Sequence, residues 1–248
     1  MVSFVSFSSV AGSSTAVTGT LPVGAAVGDL LIAIAQAHQY TNGGATPITV
    51  PAGWTEFDNG LNNTNGFGGI TGVLCHKYVE AGDTSWEWTK PAGNGYELCV
   101  VILCFAGVKS TDAFHARGFA TVTNSGVYTL PYAGLTTTVA DCMLIAFGVW
   151  QHNFGGVIND LAGWTEKIDM SQAATNFIHM ATRDTVADIG AQSAVTFTNG
   201  SSATVGPWER LWQIAIAPAL PSSPGEARRP AGGLKEFQHL RGWRNLGQ

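Results

Sequence analysis

The chain has 248 residues, of which 45% are hydrophobic and only 12% are charged, about half the usual share for a soluble domain. This length suffices for one large domain or two modest ones, and the 31 glycines favour short strands and tight turns over helices. Residues 1–220 hold seven basic and fifteen acidic side chains, a net charge of −8, which argues against nucleic-acid binding by this part of the chain.

Short strand-like segments follow one another along the first 110 residues. Separated by Gly, Asn and Asp, they predict strands at 4–10, 15–22, 29–36, 47–58, 71–79, 85–90 and 98–108. The apolar runs 30–35 and 98–105 predict central strands that are buried on both faces. No window keeps the apolar spacing of an amphipathic helix, so we expect few helices.

The same pattern returns in the second half of the sequence. The matches are VGDLLIAIA (27–35) with VADCMLIAF (139–147), PAGWTEFD (51–58) with LAGWTEKID (161–169), SWEWTK (85–90) with AVTFTN (194–199), and ELCVVILCFAGV (97–108) with ERLWQIAIAPAL (209–220). Their offsets of 112, 110, 109 and 112 equate Asp29 with Asp141. Four matches in the same order indicate an internal duplication, and we therefore predict two tandem β-sandwich units at 1–110 and 111–220.

A tryptophan turn is the most regular part of this repeat. Gly53 and Gly163 each permit a turn with positive φ just before a tryptophan. We expect Trp54 and Trp164 to be structural plugs at the end of each unit, because a feature needed for folding must recur in every copy. A ligand platform is the alternative interpretation of the two side chains.

Trp86 and Trp88 alternate with Glu87 and therefore share one face of a strand. On an inner face they fill the core, which we favour, whereas on an outer face they form a stacking platform for a glycan. The Asn-rich segments 62–69 and 198–207 are predicted to be solvated loops, with contact to a glycan or to a neighbouring subunit as the alternative.

No motif for catalysis or metal binding is found. The six histidines lack metal-ligand spacing, and His38 and His152, each after the first apolar strand of its unit, are expected to be strand-end residues rather than a shared site. We predict no enzyme activity and no cofactor. The four cysteines lie in apolar strand-like runs and are predicted to be buried thiols of a protein that folds in reducing cytosol: Cys75, Cys99, Cys104 and Cys142.

The last 28 residues differ from everything before them. Residues 221–248 are rich in Pro and Gly, then space Leu234, Phe237 and Leu240 three apart, and carry five basic and two acidic residues, a net charge of +3. We predict an extended tail that acts as a docking arm. The residues expected to dock on a partner are Arg228, Arg229, Leu234, Phe237, Leu240, Arg241, Trp243 and Arg244.

The order of motifs resembles a group of structural proteins of tailed bacteriophages and prophages. The resemblance covers about residues 14–220 and is carried by TLPVGAAVGDLLIAI (20–34), VPAGWT (50–55), KYVEAGDTSWEWT (77–89) and VVILCFAGV (100–108). The second copy departs from the pattern, since VADIGAQSAVTFT (186–198) lacks both tryptophans of SWEWT. The resemblance implies a jelly-roll-like fold, so we expect an all-β protein of two tandem jelly-roll-like β-sandwich units with an extended C-terminal tail.

The resemblance further implies a non-enzymatic virion structural protein, assembled in the cytoplasm of a bacterial host. We expect a capsid decoration or cement protein or the base of a head spike, with a host-adhesion protein of the tail or fibre, binding glycans, as the alternative. The expected partners are other virion proteins, such as the major capsid protein or neighbouring fibre, spike or tail subunits. A homo-oligomer is expected, with a trimer suggested by virion symmetry, and neither nucleic acid nor a membrane is an expected partner.

Overall fold

The structure is a computed structural model that describes residues 1–39, 48–63, 69–90, 97–112, 114–122, 129–152, 159, 161–172, 176–186, 189–198 and 205–219. The regular elements of these residues are all β-strands. They are β1 Ser3–Gly12, β2 Ala16–Thr20, β3 Leu30–Gln39, β4 Thr55–Asn63, β5 Gly69–Tyr78, β6 Ser85–Thr89, β7 Leu98–Ala106, β8 Ala116–Val122, β9 Thr129–Tyr132, β10 Leu135–Thr137, β11 Cys142–His152, β12 Thr165–Gln172, β13 Asn176–Val186, β14 Gly190–Gln192, β15 Val195–Thr198 and β16 Val205–Ile216.

Each half of the chain forms one five-stranded antiparallel sheet. The order is β1-β7-β3-β5-β4 in the first half and β8-β16-β11-β13-β12 in the second, so corresponding strands occupy corresponding places. The two-stranded sheets β2-β6 and β9-β15 also correspond, and β10-β14 is an additional pair in the second half. The strand order is thus the same in both halves, as the repeat predicts.

The strands pair in a nested manner. In the first half β1 pairs with β7, β2 with β6 and β3 with β5, while β4 lies at the sheet edge. In the second half β8 pairs with β16, β9 with β15, β10 with β14 and β11 with β13, while β12 lies at the edge. In a jelly roll one long hairpin is wrapped so that its strands pair in this nested manner. The predicted all-β, jelly-roll-like fold class is therefore confirmed.

The two halves share one hydrophobic core. One face of the first five-stranded sheet packs on one face of the second, and the side chains between them include Ile32, Leu103, Ile145 and Ile214, each 0% exposed. The small sheets β2-β6 and β9-β15 cover the outer faces, where they enclose a further core in each half. The body therefore has four layers, and the boundary predicted at residue 110 falls between β7 and β8.

These layers explain why the central strands are apolar throughout. Along β3, Leu30 and Ile32 face the shared core, whereas Leu31 and Ala33 face the core under β2-β6. All four side chains are 0% exposed, which confirms the prediction that segment 30–35 is buried on both faces. Alternation disappears from a strand when both of its faces are buried.

The two tryptophan turns have the same geometry. Gly53 and Gly163 have φ angles of 84° and 83°, which residues other than glycine rarely adopt. Trp54 donates its backbone N–H to Pro51, and Trp164 donates its own to Leu161. The strand that follows each turn then bulges after two residue pairs, between Glu56 and Asp58 in β4 and between Glu166 and Ile168 in β12.

Two details differ from the sequence prediction. The segment 47–58 is not one strand, because the turn at Pro51 to Trp54 separates a single bridge at Thr49 from β4. The equivalence of Asp29 with Asp141 is wrong by one residue. Asp141 has a φ of 59° and corresponds to Gly28, whose φ is 93°. Each lies two residues before the first residue of its strand that faces the shared core, which is Met143 in β11 and Leu30 in β3. An apolar strand without alternation does not reveal which face a residue takes.

Candidate functional site

A groove lies at one end of the junction between the two halves. There β4, at the edge of the first sheet, lies beside β8 and β16 of the second sheet. The groove has a volume of about 400 Å³ and is lined by Phe57, Asp58, Arg117, Phe119 and Trp212. This size lies within the range of small-molecule and cofactor sites, about 300–1,000 Å³.

A buried ion pair forms the floor of this groove. The Oδ2 atom of Asp58 accepts hydrogen bonds from Nη2 of Arg210 at 2.5 Å and from Nε1 of Trp212 at 2.7 Å. The side chain of Arg210 is 7% exposed and that of Asp58 is 27% exposed. The pair joins β4 of the first half to β16 of the second, and charge-assisted hydrogen bonds of this kind are strong and directional.

Two glycines make room for the long side chain of Arg210. A Cβ atom on Gly60 would lie 2.6 Å from Nη1 of Arg210, and one on Gly72 would lie 2.9 Å from its Cδ. Real Cβ atoms do not approach other heavy atoms so closely. The absence of side chains at these positions therefore allows Arg210 to lie flat between the two sheets.

Guanidinium groups and aromatic rings alternate along the groove. The Cζ atom of Arg117 lies 4.6 Å from the ring centroid of Phe57, and that of Arg210 lies 4.9 Å from the centroid of Phe119. Both distances are within the range of cation–π attraction. Phe119 is nevertheless 46% exposed, so an aromatic ring supported by a fixed arginine is open to solvent.

A second lobe of about 330 Å³ continues from the first and shares Phe57 and Arg117 with it. The remaining lining residues of this lobe are Thr55, Glu56, His76, Tyr78, Asp112 and Phe114. The pKa of His76 is lowered by burial, and its ring contacts that of Phe114 at a centroid distance of 4.7 Å and an interplanar angle of 56°. Burial and the nearby carboxylate of Asp112 raise the pKa of Tyr78, whose hydroxyl donates to the carbonyl of Lys109 at 2.5 Å.

The opposite end of the junction lacks this arrangement. There β12 lies beside β1, with Nζ of Lys167 5.7 Å from the ring centroid of Phe4. The positions that correspond in strand register to Asp58 and Arg210 hold Ile168 and Cys99, which are both buried in the shared core. Since the described residues at this end form the same fold without an ion pair, the polar groove is a specialisation of the other end.

The tryptophans singled out in the sequence are all core residues. Trp54 contacts Trp86 and Trp88 at ring-centroid distances of 5.2 and 5.4 Å, and Trp164 contacts Phe197 at 5.7 Å. Trp54, Trp86 and Trp88 are 8%, 8% and 0% exposed. The indoles of Trp86 and Trp88 therefore present no platform on which a sugar ring could stack, in agreement with the core interpretation.

The burial of the thiols is confirmed. All four cysteines are free and buried, and Cys99 and Cys104 point to opposite faces of β7, toward the shared core and the outer core respectively. Burial raises the pKa of each of these two thiols to about 12. Such thiols are inert at neutral pH.

Several predicted sites lie outside the described residues. They are the eight docking residues Arg228, Arg229, Leu234, Phe237, Leu240, Arg241, Trp243 and Arg244. The same holds for most of the segments 62–69 and 198–207 and for the side chains of His38 and His152. Among the residues that the structure describes, no group of three or more His, Cys, Asp or Glu is placed to hold a metal ion.

The groove residues were not singled out by sequence reasoning, although the repeat carries a signal for one of them. Arg210 is a charged residue inside an apolar strand, and the sequence match places it opposite the apolar Leu98 of the first half. Comparison of the chain with protein-family models, with curated proteins and with solved structures found no match. The described part of the chain contains no helix long and apolar enough to cross a membrane.

Proposed function

We propose that this protein is a non-enzymatic structural component of a bacteriophage virion, acting as a capsid decoration or cement protein or as the base of a head spike. The observation that carries the proposal is the core shared by both halves, which joins two jelly-roll-like units into one body of four layers. The resemblance of residues 14–220 to phage structural proteins supplies the biological setting.

A shared core suits a protein that must last outside the cell. The first strand of each half pairs with the last strand of that half, as Ser3 does with Ala106 and Ala116 with Ala215. The buried pair of Asp58 and Arg210 then ties the halves together. Neither half can open without exposing apolar surface to water, which favours a long-lived folded state.

The proposal also concerns the partners that the protein binds. We expect other virion proteins to bind the body and the basic arm 221–248, whose net charge of +3 complements the −8 of residues 1–220. Repetition of the arm around a homo-oligomer, for which virion symmetry suggests a trimer, would strengthen an attachment that is weak for one arm alone.

The test is to purify particles of the phage or prophage that encodes the chain and to analyse them by quantitative mass spectrometry. We expect the chain in the particles at a fixed ratio to the major capsid protein, and we expect particles from a deletion strain to release DNA at lower temperature. Absence of the chain from purified infectious particles would contradict the proposal.

A tail- or fibre-associated adhesion protein is the second candidate, and the junction groove is the observation that favours it. Phe119 is 46% exposed in the groove beside Arg117 and Asp58, so a ligand in the groove would contact an aromatic ring and charged groups together. Immunogold labelling of particles separates the candidates, since label on the head supports decoration and label on the tail supports adhesion.

A further inference from the structure

We infer that the groove between β4 and β8 is a carbohydrate-binding site that takes a neutral oligosaccharide of at least two pyranose rings. The inference supplies the ligand class for the adhesion candidate of the proposed function. It also applies to a head protein that touches the host surface.

An exposed, rigid aromatic ring is the first requirement for such a site. Phe119 meets it, because its ring is 46% exposed and the guanidinium of Arg210 lies 4.9 Å from its centroid. Arg210 is itself fixed by Asp58 at 2.5 Å. A pyranose ring can place its apolar C–H face on such a ring and remove apolar surface of both partners from water.

Hydrogen-bonding groups beside the ring are the second requirement. Asp58 uses only Oδ2 for Arg210 and Trp212, and its Oδ1 accepts no hydrogen bond from the described residues. Arg117 stacks on Phe57 but makes no hydrogen bond to a described residue, so its N–H groups remain available. A carboxylate and a guanidinium are planar groups that bind adjacent hydroxyls of a sugar in pairs.

The charge of the groove disfavours an anionic ligand. Three carboxylates line the two lobes, those of Glu56, Asp58 and Asp112. The positive groups are Arg117, which is exposed, and Arg210, which is already paired with Asp58. A polyanion such as a nucleic acid or a sulfated polysaccharide would therefore be repelled, and a purely apolar ligand would leave the charged rim without partners.

The groove is long enough to hold more than one sugar ring. The two lobes, of about 400 and 330 Å³, are contiguous through Phe57 and Arg117. The second lobe adds the hydroxyl of Thr55 and the ring of Tyr78. A linear chain can place one ring on Phe119 and the next beside Tyr78.

The opposite end of the junction provides a matched control within the same molecule. Phe7 lies on the edge strand β1 and is 43% exposed, almost as much as Phe119 on the edge strand β8. No described residue there corresponds to the pair of Asp58 and Arg210, because Ile168 and Cys99 take those register positions. Loss of Phe7 should therefore change exposed aromatic area without changing a binding site.

The experiment probes the full chain with an array of neutral, anionic and amino-sugar oligosaccharides of two to six rings, followed by calorimetric titration of the best ligand. We expect binding confined to neutral glycans, at least tenfold weaker affinity for Phe119→Ala, and unchanged affinity for Phe7→Ala. Equal thermal midpoints of the two variants show that the difference is not one of folding.

Three outcomes would overturn the inference. They are no retention of any neutral glycan by the folded chain, preference for sulfated glycans, and equal loss of affinity in Phe119→Ala and Phe7→Ala. Presence of the chain in particles without glycan binding would reject only this inference, whereas glycan binding by a chain absent from particles would reject only the virion proposal.

Discussion

Removal of the Asp58 carboxylate should destabilise the protein more than removal of its partner. In Asp58→Ala the Arg210 guanidinium, whose side chain is 7% exposed, keeps its charge without a counter-ion, and Nε1 of Trp212 loses its acceptor. Breaking a buried pair in this way costs about 3–5 kcal/mol. We expect a value near the lower limit, about 3 kcal/mol, because Asp58 is 27% exposed and its loss lets water reach the cation.

The reverse substitution should cost less. In Arg210→Met the carboxylate that remains is partly hydrated and still accepts from Trp212, so we expect a loss of about 1–2 kcal/mol. The double variant removes both charges, and its loss should be smaller than the sum of the single losses by at least about 1 kcal/mol. Methionine is long and unbranched and fills the space that Gly60 and Gly72 leave.

Equilibrium unfolding in urea at pH 7 measures these free energies. Glu56→Gln is the matched control, because it removes the charge of an exposed neighbouring carboxylate and keeps an acceptor for Asn59. We expect its effect to stay within about 0.5 kcal/mol. The reasoning would be refuted if Asp58→Ala lost less than about 1 kcal/mol, or if the two single losses added without coupling.

Three further predictions concern the rest of the body. Gly53→Ala and Gly163→Ala should each lower the free energy of unfolding in urea by about 1–2 kcal/mol, since their φ angles of 84° and 83° are strained for alanine, and two unchanged stabilities would contradict the turn geometry. Burial lowers the pKa of His179 to about 3 from 6.5, so between these pH values the unfolded chain binds a proton that the folded protein does not. His179 should therefore lower the free energy of unfolding by up to about 1.4 kcal/mol per pH unit in this range, and His179→Gln should have a smaller slope between pH 6 and 5. Cys99 and Cys104, with pKa values raised to about 12, should react with a thiol reagent only in denaturant, and rapid labelling of the native protein would disprove their burial.

Local pattern was enough to predict most strands of the first half. The alternation in SWEWT predicted one buried face of β6, and Trp86 and Trp88 do lie in the core while Glu87 is exposed. The apolar runs predicted central strands, and β3 and β7 occupy the centre of the first sheet. Each of these inferences needs only neighbours within one strand, where the period of two is decisive.

The groove could not be predicted from patterns within single strands. Asp58 and Arg210 meet across 152 positions of the chain, and Arg117 and Phe119 come from a third strand. No periodicity within a strand indicates which edges will lie side by side after the two sheets pack. The one local signal was the contrast between the copies, in which an arginine replaces an apolar residue within the last apolar strand.

The amino-acid pattern also did not indicate which face of a central strand each residue occupies. The alignment equated Asp29 with Asp141, whereas Gly28 is the structural counterpart of Asp141. A shift of one residue exchanges the shared core for the outer core, and a run such as LLIAIA fits both equally well.

The central structural claim is that both halves depend on one shared core, and fluorine NMR of fluorotryptophan-labelled protein during urea unfolding tests it most directly. Trp54, Trp86 and Trp88 report on the first half, and Trp164 and Trp212 report on the second. Assignment by single Trp→Phe variants identifies each signal. If the core is shared, the native signals of both groups disappear at one urea concentration, with one midpoint for all five residues. Separate midpoints for the two groups would contradict the shared core and would leave two sandwiches that fold independently.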